Sequence, residues 1–382
     1  MRRLQHETNE LNTAIDAPPV SGSAIPSDSE IRQILADRID VQHRSVGIVV
    51  GVIGPEGRRV IAHGRLAKGD SRPLDGDMIF EIGSVTKVFT ALLLADMVQR
   101  GEVVLDDPVA KHLPPGVRMP ERNGRAITLL HLSTHTSGLP RLPTNMGVSV
   151  MHSKNPYANY SVERLYAFLS QYKLGRDIGS RQEYSNVGVG LLGHALALRA
   201  GMDYESLVRS RICEPLDMNS TWITLTREMR NRLAKGHDLF LRPTENWDMP
   251  TLAGAGALRS DVNDMLTFLA ANLGYTESPL APAMAAMRRI PESRERFGRE
   301  LALGWNILPL NGREILWHNG GTGGYRSFVG FDPKAGTGVV VLANAFTGAG
   351  VDDIGIHILD PRVPVRSFGG IAQWLRQKLL RV

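Results

Sequence analysis

The feature that most constrains the fold of this chain is a double change of hydrophobic period. Residues 45–53 and 59–62 near one end, and 303–308, 313–318, 325–331 and 338–343 near the other, are rich in β formers, whereas most of the stretch between repeats its apolar residues at helical spacing. A lone hairpin is marginal in water, so strands at both ends of the chain are best satisfied by pairing into one sheet. Turn chemistry agrees: Gly54-Pro55-Glu56-Gly57 and Asn311-Gly312 are hairpin signals. Ser27-Asp28-Ser29-Glu30 is a capping-box pattern ahead of Ile31, Ile34, Leu35 and Ile39, and residues 371–380 read as a terminal amphipathic helix. The expected fold is α/β (α+β): an antiparallel sheet flanked by N- and C-terminal helices, with a mostly helical domain inserted. The 382 residues exceed what one small core organises, and the expected boundaries are a flexible arm over 1–26, a discontinuous α/β domain over 27–83 and 300–382, and a helical domain over 84–299, with the active site at their interface.

The stretch Phe80-Glu81-Ile82-Gly83-Ser84-Val85-Thr86-Lys87 leads into a helix with Phe89, Leu92, Leu93 and Met97 on one stripe. Ser84 and Lys87, three residues apart, share a helix face, which brings an amine to a hydroxyl beside helix-start N–H groups that can hold an oxyanion. A second Ser-x-x-Lys, Ser170 to Lys173, closes a plain amphipathic segment before Gly175 and reads as a helix end. Tyr184-Ser185-Asn186 opens a helix that runs to Gly201; Tyr184 becomes a general base if a neighbouring ammonium depresses its phenol from a pKa of about 10. Tyr157-Ala158-Asn159 repeats the pattern in a proline-containing loop, where no regular element fixes its direction, and is set aside. That loop, 141–160, has the length of a lid or binding loop. The last feature is His318-Asn319-Gly320-Gly321-Thr322-Gly323-Gly324-Tyr325, a glycine-rich strand edge that admits close backbone approach and offers N–H groups to an acyl oxygen.

Composition and missing motifs exclude other classes. The net charge of +5 is spread along the chain, and the Arg-rich stretch 288–299 is broken by Glu292 and Glu295, so no nucleic-acid partner is expected. There is no Gly-Lys-Ser/Thr phosphate loop, no G-x-S-x-G elbow and no ligand-like spacing among the 11 His, so neither metal nor cofactor is expected. The single cysteine, Cys213, lies in an apolar helix end and reads as packing. No apolar run reaches the length of a membrane span and no signal-type apolar region follows Arg2-Arg3, which points to a cytoplasmic protein, or a periplasmic one if the N-terminus is processed.

In this order, Ser84-Val85-Thr86-Lys87, Tyr184-Ser185-Asn186 and His318-Asn319-Gly320 make the chain resemble the serine β-lactamase and penicillin-binding superfamily, specifically its class C-like branch. That branch holds class C β-lactamases, D-Ala-D-Ala carboxypeptidases, D-aminopeptidases and family VIII carboxylesterases. His135-Thr136-Ser137-Gly138-Leu139-Pro140 and Ala255-Gly256-Ala257-Leu258-Arg259-Ser260 are also similar to recurrent family segments, and the resemblance spans roughly 30–375. It implies that Ser84 is the acylated nucleophile and that Lys87 and Tyr184 are the proton-transfer pair. Asn186 would contact the substrate and hold Lys87, and His318, Asn319 and Gly320 would line the substrate. The backbone N–H groups of Ser84 and Gly321 would form the oxyanion hole.

Two departures bear on the substrate. Where those β-lactamases carry Lys-Thr-Gly, His318-Asn319-Gly320 replaces a permanent cation and a hydroxyl by an amide and an imidazole that is largely neutral at pH 7.5 for an ordinary pKa of about 6.5. Arg141 and Leu142 follow Gly138-Leu139-Pro140, where class C β-lactamases usually place a Gln. Both point away from an efficient β-lactamase. The expectation is a serine hydrolase acting through an acyl-enzyme on small carboxylic esters, with weak β-lactam hydrolysis, its partner a small-molecule ester or amide. The alternatives are a β-lactamase, a D-Ala-D-Ala carboxypeptidase or D-aminopeptidase, and a non-catalytic peptide-binding or scaffolding member. The oligomeric state has no signal in the sequence.

Overall fold

The computed structural model describes residues 25–147, 153–288, 302–348 and 350–365. The expected arm up to residue 24, most of the Arg-rich stretch and the expected terminal helix at 371–380 lie outside the described residues.

The central sheet is antiparallel and takes strands from both parts of the chain. The N-terminal part supplies β1 (Gly47–Gly54) and β2 (Gly57–Gly64), joined by the Pro55-Glu56 turn; the C-terminal part supplies β3 (Asn306–Leu310), β4 (Arg313–Gly321), β5 (Arg326–Asp332) and β6 (Thr337–Ala343). Their order is β2-β1-β6-β5-β4-β3, and β1 meets β6 with Val50 opposite Val341 and Gly51 opposite Val340. The Asn311-Gly312 turn between β3 and β4 holds both residues at positive φ, 50° and 79°, as a tight hairpin of this type requires.

The strands β1 and β6 are buried on both faces, which explains why they read as continuous Val/Ile runs. Ile48, Val50 and Val52 point into one core with Ile31 and Leu35 of α1 (Asp28–Ala36). Val49 and Ile53 point into the other, with the helical layer. The capping box of α1 forms as the sequence indicates, with Ser27 and Glu30 exchanging side-chain and backbone bonds. Gly51 faces the helix Val262–Leu273, where a Cβ would come 2.5 Å from Val262 Cγ1, so a glycine in the strand lets that helix lie close.

A helix that sequence reading passed over, Asp352–Leu359, covers the same sheet face as α1. Its Ile-Gly-Ile-His-Ile alternation imitates a strand. The segment is nevertheless a helix, and Gly355 lets it lie close on β5: a Cβ there would sit 2.1 Å from Phe328 Cδ1.

Helices inserted between β2 and β3 form the second layer, centred on α2 (Thr86–Gln99), whose residues from Thr86 to Met97 are all buried. An all-round apolar helix belongs inside a core, and here Phe89 stacks on Phe268 with ring centroids 4.7 Å apart. Further along the chain, α3 (Asn186–Ala200) is likewise buried along most of its length and ends at Gly201, in the left-handed conformation of a C-terminal cap. Among the described residues no helix is long and apolar enough to cross a membrane.

Candidate active site

Ser84 stands where the sheet meets the helical layer. It lies in a short 3-10 turn, Gly83–Val85, immediately before α2, so the reactive side chain precedes the regular helix. Glycines decide how close the two layers come. Gly83 has φ +51, and a Cβ on it would lie 2.8 Å from the Gly321 nitrogen; a Cβ on Gly320 would lie 2.0 Å from the Ile82 carbonyl oxygen. Ser327 locks the approach by donating from its hydroxyl to the same carbonyl at 2.7 Å. The backbone after Ile82 is thereby pressed against the end of β4. Strand β3 pairs with β4 only from Arg313 to Trp317, so His318 to Gly321 keep an edge that β3 does not cover.

One turn along, Lys87 is 2% exposed, with its amine 3.0 Å from Ser84 Oγ and donating to the Ala255 carbonyl at 2.5 Å. Burial, helped by the positive charge of Arg141, holds the amine well below its ordinary pKa. Such a depression eases loss of the ammonium proton, and the amine, once neutral, can donate to Ala255 and still offer a lone pair to the serine proton. The segment Ala255–Ser260 thus has a physical role: it presents that carbonyl, and its Arg259 reaches Glu81 at 3.3 Å beside the short pairing of Phe80 with Ser260.

Tyr184 reaches the same point from the N-terminus of α3. Ser185 is the N-cap, accepting from the Gly188 N–H at 2.9 Å while its hydroxyl donates to the Pro140 carbonyl at 2.6 Å. The Ser185 N–H donates to His135 Nδ1 at 3.1 Å, which puts the imidazole proton on Nε2, and the His135 ring packs 4.5 Å from the Tyr184 ring. The Tyr184 hydroxyl is hydrogen-bonded to Ser84, and Lys87 Nζ lies 4.9 Å from its ring centroid. Here the structure corrects a sequence-based condition: no ammonium lowers the phenol. Burial pushes Tyr184 up to about 12, outweighing the Ser84 hydrogen bond and the Arg141 charge, so it rests as a neutral donor.

His318 faces inward, 5% exposed, and its Nδ1 donates to the Asn319 carbonyl at 2.6 Å. Lys87, Ser133, His135, Tyr184 and His318 all line one closed cavity of about 20 Å³, so the side chains named from distant sequence segments do converge. Burial, with the nearby Lys87, lowers His318 to about 3, so the ordinary value of about 6.5 does not apply.

Two substrate-lining expectations change. Strand alternation turns Asn319 to the face opposite His318, and its amide donates to Asp352 at 2.6 Å, away from the catalytic residues. Asn186 does not hold Lys87: its amide donates to the Tyr157 hydroxyl at 3.2 Å, leaving Oδ1 buried without a hydrogen-bond partner among the described residues. Tyr157, set aside in the sequence, is therefore fixed after all, packed against Trp247 with ring centroids 5.4 Å apart. Ser170 is exposed at the end of the helix Val162–Gln171. Cys213 is buried, and burial pushes its thiol up. Among the described residues no cluster of three or more His, Cys, Asp or Glu is placed to hold a metal ion.

Sequence reading also missed His135, Ala255 and Arg141. The first two lie in segments already singled out for their resemblance; Arg141 had been noticed only as a departure. A larger cavity of about 550 Å³, bounded by Tyr204, Arg230, Asp248 and Arg259, includes none of the Ser84 group.

Comparison with known proteins places the chain in a family. A family described as "Beta-lactamase" matches residues 28–359. The chain belongs to the beta-lactamase family. Among relatives in it, the D-alanyl-D-alanine-carboxypeptidase/endopeptidase AmpH of Escherichia coli strain K12 is 30% identical over 347 residues, covering 87% of each chain. A Pseudomonas fluorescens protein named beta-lactamase is 25% identical over 352 residues, covering 83% of this chain and 94% of its own. A crystal structure of a class C beta lactamase from Rhodobacter sphaeroides superimposes with a TM-score of 0.74 at 27% identity, covering 87% of this chain and 99% of that one. The mixed α/β architecture built on a six-stranded antiparallel sheet is that of the beta-lactamase family.

Proposed function

We propose that this member of the beta-lactamase family hydrolyses small carboxylic esters through an acyl-enzyme on Ser84, with weak turnover of β-lactams. The observation that carries the acyl-serine reading is Lys87, a buried amine 3.0 Å from Ser84 Oγ and depressed by its surroundings. Lys87 takes the Ser84 proton as Oγ attacks the carbonyl carbon. The N–H groups of Ser84 and Gly321, pressed together by Gly83 and Gly320, receive the oxyanion, an interaction worth about 3–4 kcal/mol of barrier per donor. As the tetrahedral adduct collapses, Tyr184 gives its proton to the leaving oxygen and is reprotonated from Lys87. Water then repeats the sequence: its proton goes to the Lys87–Tyr184 pair, its oxygen attacks the acyl carbon, and Ser84 leaves with a proton.

The preference for esters rests on His318, buried and neutral where the β-lactamase pattern has a lysine. A peptidase reading is favoured by a different observation, the similarity to the carboxypeptidase/endopeptidase named above. Rates on a p-nitrophenyl ester, nitrocefin and a D-Ala-D-Ala peptide, together with fluorophosphonate labelling, test both. Labelling lost in Ser84→Ala and an ester kcat/KM above the others support the proposal. A higher kcat/KM on the peptide replaces it with the peptidase reading, and no labelling of the folded protein means a non-catalytic member.

A further inference from the structure

Charge around Ser84 is unusually one-sided. Lys87, His135 and His318 are buried bases whose burial disfavours their cationic forms, and burial likewise disfavours the Tyr184 phenolate. Among the described residues no carboxylate contributes to the electrostatics of any of these four or of Tyr157. Among the described residues one permanent charge, Arg141, reaches all of them but His318. Arg141 acts on Lys87, His135, Tyr157 and Tyr184 alike, its guanidinium carbon 5.1 Å from the Tyr184 ring centroid.

Arg141 is anchored by its backbone and free at its tip. Its carbonyl accepts from the N–H of Asn186 at 2.9 Å and of Val187 at 3.4 Å, which ties it to the start of α3. The side chain is exposed, and among the described residues the guanidinium makes no hydrogen bond and no ion pair. A guanidinium is always charged and presents a planar fork that matches a carboxylate. The other cation near the strand edge, Arg326, is differently placed. It stacks on Phe346 at 4.0 Å, donates to the Thr347 carbonyl at 3.4 Å and feels the carboxyl of Asp352.

We infer that Arg141 is the specificity-determining residue of the site, a fork that receives a carboxylate carried by the substrate, so that the preferred esters are acidic ones. The inference rests on the acyl-serine reading above. It changes what the loss of a lysine at position 318 means: the anion-recognising charge has not gone but stands on the helical wall, over Tyr184.

Three esters test it: p-nitrophenyl butyrate, neutral; mono-p-nitrophenyl adipate, with the carboxylate on the acyl half; and 4-carboxyphenyl butyrate, with it on the leaving half. Each is measured on the full chain, on Arg141→Gln, on Arg141→Lys and on Arg326→Gln. Ratios of kcat/KM to the neutral ester remove any general effect of the substitution on Lys87 and Tyr184. In Arg141→Gln the ratio should fall about 10- to 100-fold for one acidic ester, mainly through KM, the range of a charge-assisted hydrogen bond. Arg141→Lys should recover part of it, and whichever ester responds identifies the half that carries the anion. Unchanged ratios for both acidic esters in Arg141→Gln, or a fall confined to Arg326→Gln, overturn the inference. Fluorophosphonate labelling of Ser84 in every variant separates this failure from failure of the acyl-serine reading itself.

Discussion

Gly320→Ala is the sharpest probe of how the sheet and the Ser84 turn are fitted together. An alanine Cβ at this position would lie 2.0 Å from the Ile82 carbonyl oxygen and 2.3 Å from Ser327 Oγ, against an ordinary contact that begins near 3.4 Å. The serine can rotate away, but the Ile82 carbonyl is backbone and precedes Gly83 and Ser84 directly. Relief therefore requires β4 and the Ser84 turn to separate by about 1 Å, a displacement that costs on the order of 100-fold in rate when it misplaces reacting groups. The same movement draws the Gly321 N–H away from the position of the oxyanion, and loss of one such donor costs about 10²–10³ in kcat. The expected outcome is a fall in kcat of about 100-fold or more on a p-nitrophenyl ester, with the acylation burst slowed in stopped flow. Gly175→Ala is the control, since a Cβ there meets nothing within 4 Å and its φ is ordinary. Thermal melting and near-ultraviolet circular dichroism establish that both variants are folded. A folded Gly320→Ala with kcat within about threefold of the parent would refute the fit of β4 to the Ser84 turn as the source of the oxyanion hole.

Ser84→Ala should abolish ester turnover, whereas Ser170→Ala, altered at an exposed helix end, should stay within a few-fold; the reverse pattern by steady-state assay would move the nucleophile. Tyr184→Phe should lower kcat by at least about 100-fold with melting temperature little changed, because the ring packing on His135 survives while the proton donor is lost; near-normal turnover would leave Lys87 as the whole proton relay. The pH profile of kcat/KM should rise as Lys87 loses its proton, at a pH well below that of an ordinary lysine, and should contain no step from His318 between pH 5 and 8, because that imidazole titrates at about 3. For stability the sign is fixed by the same depression: His318 contributes fully above its unfolded value of 6.5 and progressively less as pH falls toward 3, so His318→Asn should flatten the denaturation midpoint against pH in that window.

The parts of the fold legible in the sequence are those where local chemistry and tertiary context agree. The capping box at Ser27, the Asn311-Gly312 turn and the Val/Ile runs of β1 and β6 each specify their own geometry, and the sheet follows from their pairing. The helix Asp352–Leu359 was hidden because its alternating isoleucines carry a strand period, and its close seat on the sheet, through Gly355 against Phe328, is a tertiary contact that the local pattern does not show. Tyr157 was hidden for a related reason. Its direction is set by Asn186 and Trp247, and neither can be read from a loop that has no period of its own.

At the site, residue types were legible and their charges were not. Ser-x-x-Lys and Tyr-x-Asn name the groups, but whether an amine or a phenol carries charge depends on how completely it is enclosed, a property of the assembled layers. Enclosure works against Lys87 and His318 as cations and against Tyr184 as an anion, so burial, and not a neighbouring ammonium, dominates the shift of each. A catalytic group emptied of permanent charge leaves recognition to whatever cation stands at its edge. In the inference above that cation is Arg141, which the sequence marked only as a departure from the β-lactamase pattern and whose guanidinium carbon lies 5.1 Å from the Tyr184 ring centroid.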